Sequence, residues 1–129
     1  MTRTHLLIVA VFALSAACGS SNSSPTSPTP PGSPGPSGAT ITILSNGTVS
    51  PSSVDINVGQ SVTIINQDSR NHEIASDPHP SHTDCPQFDV LTTPGQTKIS
   101  NALPTAKTCG FHDHLDSTNV NLQGQIRVH

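Results

Sequence analysis

Histidines are the residues of this chain best suited to chemistry, and most of them lie in two short segments, 71–86 and 109–114. The five histidines in these segments are His72, His79, His82, His112 and His114. Imidazole is a ligand for copper, zinc, nickel and iron. Two His-rich segments at predicted strand ends therefore indicate a metal site. The alternative is a set of exposed polar loop residues that bind no metal.

Composition limits the other functional classes. The chain has 129 residues, of which 10% are charged and 2% aromatic, with a formal net charge of −3. The sequence has no basic patch of the kind that indicates nucleic-acid binding. The length predicts a single folded domain. These whole-chain averages combine segments of different kinds.

The N-terminus has the pattern of an export signal. Arg3 is followed by the apolar run 6–17, which is too short to span a bilayer as a helix. The sequence Leu14-Ser15-Ala16-Ala17-Cys18-Gly19 resembles a bacterial lipoprotein signal, although leucine usually occupies the place of Ser15. The resemblance implies that Cys18 is lipidated. The alternative is ordinary cleavage nearby, with an incidental Cys18.

A low-complexity segment separates the signal from the rest of the chain. Residues 19–38 are rich in Ser, Pro and Gly and cannot bury a core, so they are expected to be a disordered tether. The predicted organisation is a signal peptide at 1–18, the tether at 19–38 and a β domain at 39–129. A lipid anchor implies a location in the bacterial cell envelope, at a periplasmic or cell-surface face, with the membrane as a partner.

The third segment shows short alternating strand patterns separated by turn residues. The predicted strands are 40–43, 54–58, 61–66, 72–75, 97–99, 108–113 and 125–128. The stretch 76–94 is expected to hold either one short strand, at 88–91, or a functional loop. The pattern predicts an all-β fold of two antiparallel sheets packed as a sandwich.

The order of these motifs resembles a known family. The sequence Val54-x-Ile56-x-Val58-Gly59-x-x-Val62-Thr63-x-x-Asn66 precedes His72, a late Cys/His segment and finally Gly124-x-Ile126-x-Val128. This resembles the cupredoxins, such as plastocyanin and azurin. The resemblance implies a Greek-key sandwich that binds copper through a histidine at the position of His72, a later cysteine and histidine, and a weak axial methionine.

The chain departs from that pattern at the axial ligand. Met1 is the only methionine, and Leu122 stands just before the last predicted strand. An axial thioether is therefore excluded in the mature chain.

The cysteines allow two alignments with the family. In the first, Cys109 is the copper thiolate and His112 or His114 the second imidazole. In the second, Asp113 stands in the thiolate's place and Cys109 pairs with Cys85. The second is favoured because two cysteines remain after Cys18 in an exported chain, and such pairs usually form a disulfide.

Strand alternation also favours the second alignment. It places Cys109, Phe111 and Asp113 on one face and Gly110, His112 and His114 on the other. Phe111 must be buried, so Cys109 also faces the core.

The expected metal ligands are His72, His112 and His114. Second choices are His79, His82, Asp113 and Cys109.

These features predict an envelope-anchored, copper-binding cupredoxin-like protein that holds copper or transfers electrons to a redox protein partner. Another transition metal remains an option. One alternative is a metal-free structural or binding module of the same fold. A weaker alternative is a small metal-dependent oxidoreductase, since two histidines and a carboxylate form the facial site of non-haem iron enzymes. No catalytic residue is assigned, and a non-enzymatic role is favoured.

Overall fold

A computed structural model describes residues 34–129 of the chain. This part contains nine strands and two short 3₁₀ turns, His114–Asp116 and Val120–Leu122. The strands are β1 (Ser37–Ile43), β2 (Val49–Ser50), β3 (Ser53–Ile56), β4 (Ser61–Asn66), β5 (His72–Ser76), β6 (Asp89–Thr92), β7 (Thr97–Ile99), β8 (Thr108–Asp113) and β9 (Gly124–Val128). No α-helix occurs among the described residues.

The strands form two sheets, which confirms the predicted β sandwich. One sheet has the order β2-β1-β4-β7 and the other the order β3-β9-β8-β5-β6. Each sheet contains one parallel pair, β1 with β4 and β3 with β9, beside antiparallel pairs. The sheets are therefore mixed, where the sequence predicted purely antiparallel ones.

The core is built mainly from isoleucine and valine, because the chain has so few aromatic residues. Alternate residues of β4 and β9, such as Ile64 and Ile126, are fully buried. Phe88 and Phe111 are also buried, with ring centroids 5.9 Å apart in an edge-to-face arrangement. Such a pair adds about 0.5–1.5 kcal/mol beyond the area that it buries.

A disulfide joins Cys85 to Cys109 within this core. This is the pairing that the second alignment favoured. It links the segment between β5 and β6 to β8, and the two cysteines are 24 residues apart in the sequence. Both cysteines are almost completely buried.

The predicted strands agree with the structure to within a few residues. The short strand expected near 88–91 is β6, whereas β2 and the two 3₁₀ turns had not been expected. Strand β1 begins at Ser37, two residues inside the segment assigned to the tether. The predicted signal peptide, the lipidation at Cys18 and most of the tether lie outside the described residues.

Within residues 34–129, no helix has the length and apolar character needed to cross a membrane.

Candidate metal centre

The connection between β5 and β6 folds back against β8. The backbone N–H of Asp77 donates to the carbonyl of Gly110 at 3.0 Å. The N–H of Asp84 donates to the carbonyl of Asp77 at 2.8 Å, which closes a loop over residues 77–84. This loop carries His79 and His82 to the end of β8.

Four histidines meet where the loop and β8 come together. They are His79, His82, His112 and His114. One nitrogen from each ring can be chosen so that all four lie within 4.8 Å of one another. The ring centroids of His79 and His82 lie 4.8 to 6.1 Å from each other and from those of His112 and His114. We call this set the four-histidine group.

His112 is the most deeply placed member of the four-histidine group, with only 2% of its surface exposed. Its Nδ1 lies 2.6 Å from Oδ1 of Asp77. Its Nε2 is buried and has no hydrogen-bond partner in the described part of the chain. Buried polar atoms nearly always have a partner, so a metal ion or a water is needed to satisfy this nitrogen.

His82 is fixed by the backbone of the loop. Its φ of 49° lies in the left-handed region, which is uncommon for a residue other than glycine. The buried hydroxyl of Ser76 donates to the carbonyl of His82 and accepts from the N–H of Cys85. The ring then lies with its Nε2 3.0 Å from Nδ1 of His114.

His79 lies at the exposed side of the group. Desolvation lowers the pKa of His79, and the charges that His114, His112 and His82 carry when protonated lower it further. A lowered pKa favours the neutral ring, which is the form that binds a metal.

His72 does not join the four-histidine group, although the sequence placed it among the ligands with His112 and His114. It is buried at the start of β5, and both of its ring nitrogens face carboxylates. Its Nδ1 lies 2.7 Å from Oδ2 of Asp113, and its Nε2 lies 3.0 Å from Oδ2 of Asp68. No ring nitrogen of His72 is left for a metal while these contacts persist.

Asp113 is also engaged away from the four-histidine group. Besides His72, it accepts hydrogen bonds from the backbone N–H groups of Glu73 and Leu115 through Oδ1. The bond to Leu115 caps the 3₁₀ turn that begins at His114. Cys109 is closed to a metal by its disulfide. Of the second-choice ligands, only His79 and His82 lie in the group.

The four-histidine group could hold a metal ion. Metal–imidazole bonds are about 2.0–2.1 Å long for zinc, so donors on opposite sides of one ion lie at most about 4.2 Å apart. The four donor nitrogens lie within 4.8 Å of one another, so the rings would have to close in around an ion. Nε2 of His112 has no hydrogen-bond partner among the described residues that would compete with a metal.

Two supporting residues were not identified from the sequence. Asp77 orients His112, and Asp68 pairs with His72 and with Nε of Arg70. The spacing of Asp68 and His72 was visible, but their pairing depends on the turn after β4. There, the side-chain oxygen of Asn66 accepts from the N–H of Asp68.

Comparison with known proteins shows similarity at the level of structure. No family model and no curated protein matches the chain. A purple cupredoxin from Nitrosopumilus maritimus is 19% identical with a TM-score of 0.54, over 70% of this chain and 99% of that one.

Two other solved structures are similar to a comparable degree. A Cu(I) form of an amicyanin mutant is 16% identical with a TM-score of 0.56, over 71% and 82% of the two chains. Oxidised plastocyanin from Dryopteris crassirhizoma is 16% identical with a TM-score of 0.53, over 70% and 99%. Similarity at this level establishes the fold: residues 34–129 form a β sandwich of the cupredoxin type.

Proposed function

We propose that this protein binds copper through the four-histidine group and holds it at the cell envelope. One observation carries the proposal. Four imidazoles converge, and the most buried of them, His112, presents an unpaired Nε2. A buried nitrogen without a partner is costly unless a ligand occupies it.

The donor set favours copper over other ions. Imidazole suits Cu, Zn, Ni and Fe, and the general affinity order places Cu(II) above Zn(II) and Ni(II). Carboxylates, which hard ions prefer, are absent from the four-histidine group itself. A copper ion held there supplies a Cu(II)/Cu(I) couple, and the chain's own residues bind and orient it.

The absence of a thiolate determines which kind of copper site is proposed. Cys109 is bonded to Cys85, and the favoured alignment with the cupredoxins puts Asp113 at the position of the thiolate. Asp113 in turn pairs with His72. The proposed site is therefore an all-imidazole centre beside β8, separate from the pair formed by His72 and Asp113.

The proposed cellular setting follows from the N-terminal sequence. Lipidation of Cys18 and a tether between it and β1 would hold the domain at an extracytoplasmic face of the bacterial envelope. Such a domain meets copper outside the cytoplasm, where disulfides persist. The membrane, through the lipid, is its proposed partner.

Electron transfer to a redox protein partner is the second candidate. It is favoured by the structural neighbours, which include amicyanin with Cu(I) and plastocyanin in its oxidised form. The two candidates differ in one measurable property. A carrier cycles reversibly between Cu(II) and Cu(I), whereas a holding protein needs only tight, saturable binding.

Titration of the oxidised protein with Cu(II), in competition with a chelator of known affinity, tests the proposal. We expect one copper per chain, with weak visible absorption and an electron paramagnetic resonance spectrum showing nitrogen ligands. A variant with all four histidines of the group changed to Gln should lose this binding. The His129→Gln variant is a matched control, because His129 is exposed and contacts Asp55 instead.

Two results would overturn the proposal. One is equal copper binding by the wild type and the variant lacking all four histidines. The other is an intense thiolate-to-copper band, which would show that Cys109 is a ligand. Voltammetry of the loaded protein then separates holding from electron transfer.

A further inference from the structure

Asp77 contacts the four-histidine group without belonging to it. Its Oδ1 lies 2.6 Å from Nδ1 of His112, and its side chain is partly exposed. On the other side of the same ring, Nε2 is buried and unpaired. One ring therefore has a carboxylate at one nitrogen and an open position at the other.

We propose that Asp77 is a positioning residue that holds His112 in the tautomer whose Nε2 lone pair is free for the metal. This inference rests on the proposed function of the four-histidine group. An ionised carboxylate only accepts hydrogen bonds, so Nδ1 must carry the proton that is shared with Asp77. A neutral imidazole has one N–H, and Nε2 is then unprotonated.

The opposite tautomer is disfavoured on both sides of the ring. It would bury an N–H at Nε2 with no acceptor, which is unfavourable because a buried donor without a partner has lost its hydrogen bond to water. It would also place the lone pair of Nδ1 against Oδ1 of Asp77 at 2.6 Å. Histidine ligands commonly donate their second nitrogen to a carboxylate, which fixes the ring and raises its basicity.

Gly110 makes room for this carboxylate. A Cβ on Gly110 would overlap Oδ2 of Asp77 and lie 2.9 Å from its Cγ. Gly110 lies within β8, in extended backbone that any residue adopts. The space at Gly110 is therefore used by the Asp77 side chain, and Gly110→Ala should displace the carboxylate while Asp77 is retained.

Asp55 provides a matched control. It pairs with His129 at 2.9 Å in the same kind of contact, but both side chains are exposed. The Asp55→Ala variant therefore removes an aspartate–histidine pair outside the four-histidine group. Any effect common to Asp55→Ala and Asp77→Ala is a general effect of charge.

The first measurement needs no metal. Long-range ¹H–¹⁵N correlation spectra of the metal-free protein report the tautomer of each histidine. We expect His112 to be protonated at Nδ1 in the wild type and in Asp77→Asn, whose amide oxygen still accepts. We expect this preference to be lost in Asp77→Ala and in Gly110→Ala.

The second measurement is copper affinity by chelator competition. We expect Asp77→Ala to bind about 10–100-fold more weakly than the wild type, as other losses of a carboxylate behind a ligating histidine do. Asp77→Asn should recover part of this loss, and Asp55→Ala should bind as the wild type does. Thermal unfolding of each variant identifies any that fails to fold.

The outcomes separate the two proposals. A His112 that is protonated at Nε2 in the wild type, or that keeps its Nδ1 proton in both Asp77→Ala and Gly110→Ala, overturns the positioning role. Equal copper affinity of Asp77→Ala and Asp55→Ala overturns it as well. The expected tautomer together with no copper binding by the wild type overturns the proposed function, and with it the role of Asp77 toward a metal.

Discussion

Nδ1 of His72 lies 2.7 Å from Oδ2 of Asp113, inside the sandwich, while the neighbouring His112 belongs to the four-histidine group. Strand alternation explains the separation, because successive residues of β8 point to opposite faces. Asp113 shares the core face with Phe111, and His112 faces the loop over 77–84. Strand β8 therefore contributes to two separate polar clusters: Asp113 pairs with His72, and His112 belongs to the four-histidine group.

Replacement of His72 should affect stability and leave copper binding intact. In His72→Gln, Oδ2 of the buried Asp113 carboxylate loses the His72 ring while Oδ1 keeps its two backbone donors, and leaving a buried acceptor unpaired costs about 1–3 kcal/mol. We expect urea unfolding to show a loss of this size. Copper affinity of the folded variant should stay within about threefold of wild type; a loss of binding while the variant remains folded would place the metal at His72.

Replacement of His112, in contrast to that of His72, should weaken copper binding. His112→Gln removes the buried donor of the four-histidine group, and we expect copper affinity to fall by more than about 100-fold, beyond the range for residues that merely support a ligand. His79, at the exposed side, should matter less, since a water can replace its ring. Chelator competition with both variants checks this order. Equal losses would show that burial does not rank these ligands.

The disulfide should stabilise the fold and the metal site together. In the chain-entropy model, a loop of this length contributes about 3 kcal/mol. We expect the double variant Cys85→Ala, Cys109→Ala to lose stability of that order in urea unfolding. Its copper affinity should also fall, because the loop carrying His82 is no longer covalently linked to β8. An unchanged affinity in the folded variant would show that hydrogen bonds alone position the loop.

Acid should weaken the cluster around His72 through Asp68. The hydrogen bond from His72 lowers the pKa of Asp68 below its usual 3.8, and the N–H of Ser69 lowers it further. A lowered carboxyl pKa gives stability that is present above pH 3.8 and is lost as the pH falls through the folded-state pKa. Unfolding curves of wild type and Asp68→Asn should therefore converge below that pH. Curves that stay parallel into strong acid would contradict this role.

The left-handed backbone conformation of His82 should lower the stability of the metal-free protein. Asparagine adopts this conformation readily. We expect His82→Asn to unfold at the same urea concentration as wild type, or to be more stable by up to about 1 kcal/mol, while copper affinity falls. A marked loss of stability without metal would mean that the His82 ring is needed for packing.

Much of the fold was predictable because its strands have clear alternation. Val54, Ile56, Val62 and Ile64 are buried as their pattern predicts. The disulfide was predictable from the cysteine count and from the inward position of Cys109. Strand β2 was not, since two residues are too few to show a period.

The candidate site was only partly predictable. Both His-rich segments were identified, but the resemblance, and not a contact, grouped His72 with His112 and His114, and the structure places its ring between Asp113 and Asp68. The inward position of Asp113 was already implied by β8. Its pairing with His72 could have been inferred from that, whereas the contact between Asp77 and His112 depends on how the loop over 77–84 folds.

The Cys85–Cys109 bond also joins the two segments that carry the four-histidine group. Cys85 follows His82 by three residues, and Cys109 precedes His112 by three. A newly made chain with free thiols lacks the covalent tie between its two ligand-bearing segments. The oxidised chain therefore holds these two segments together before any metal binds, whereas a reduced chain depends on noncovalent contacts such as the hydrogen bond from Asp77 to Gly110.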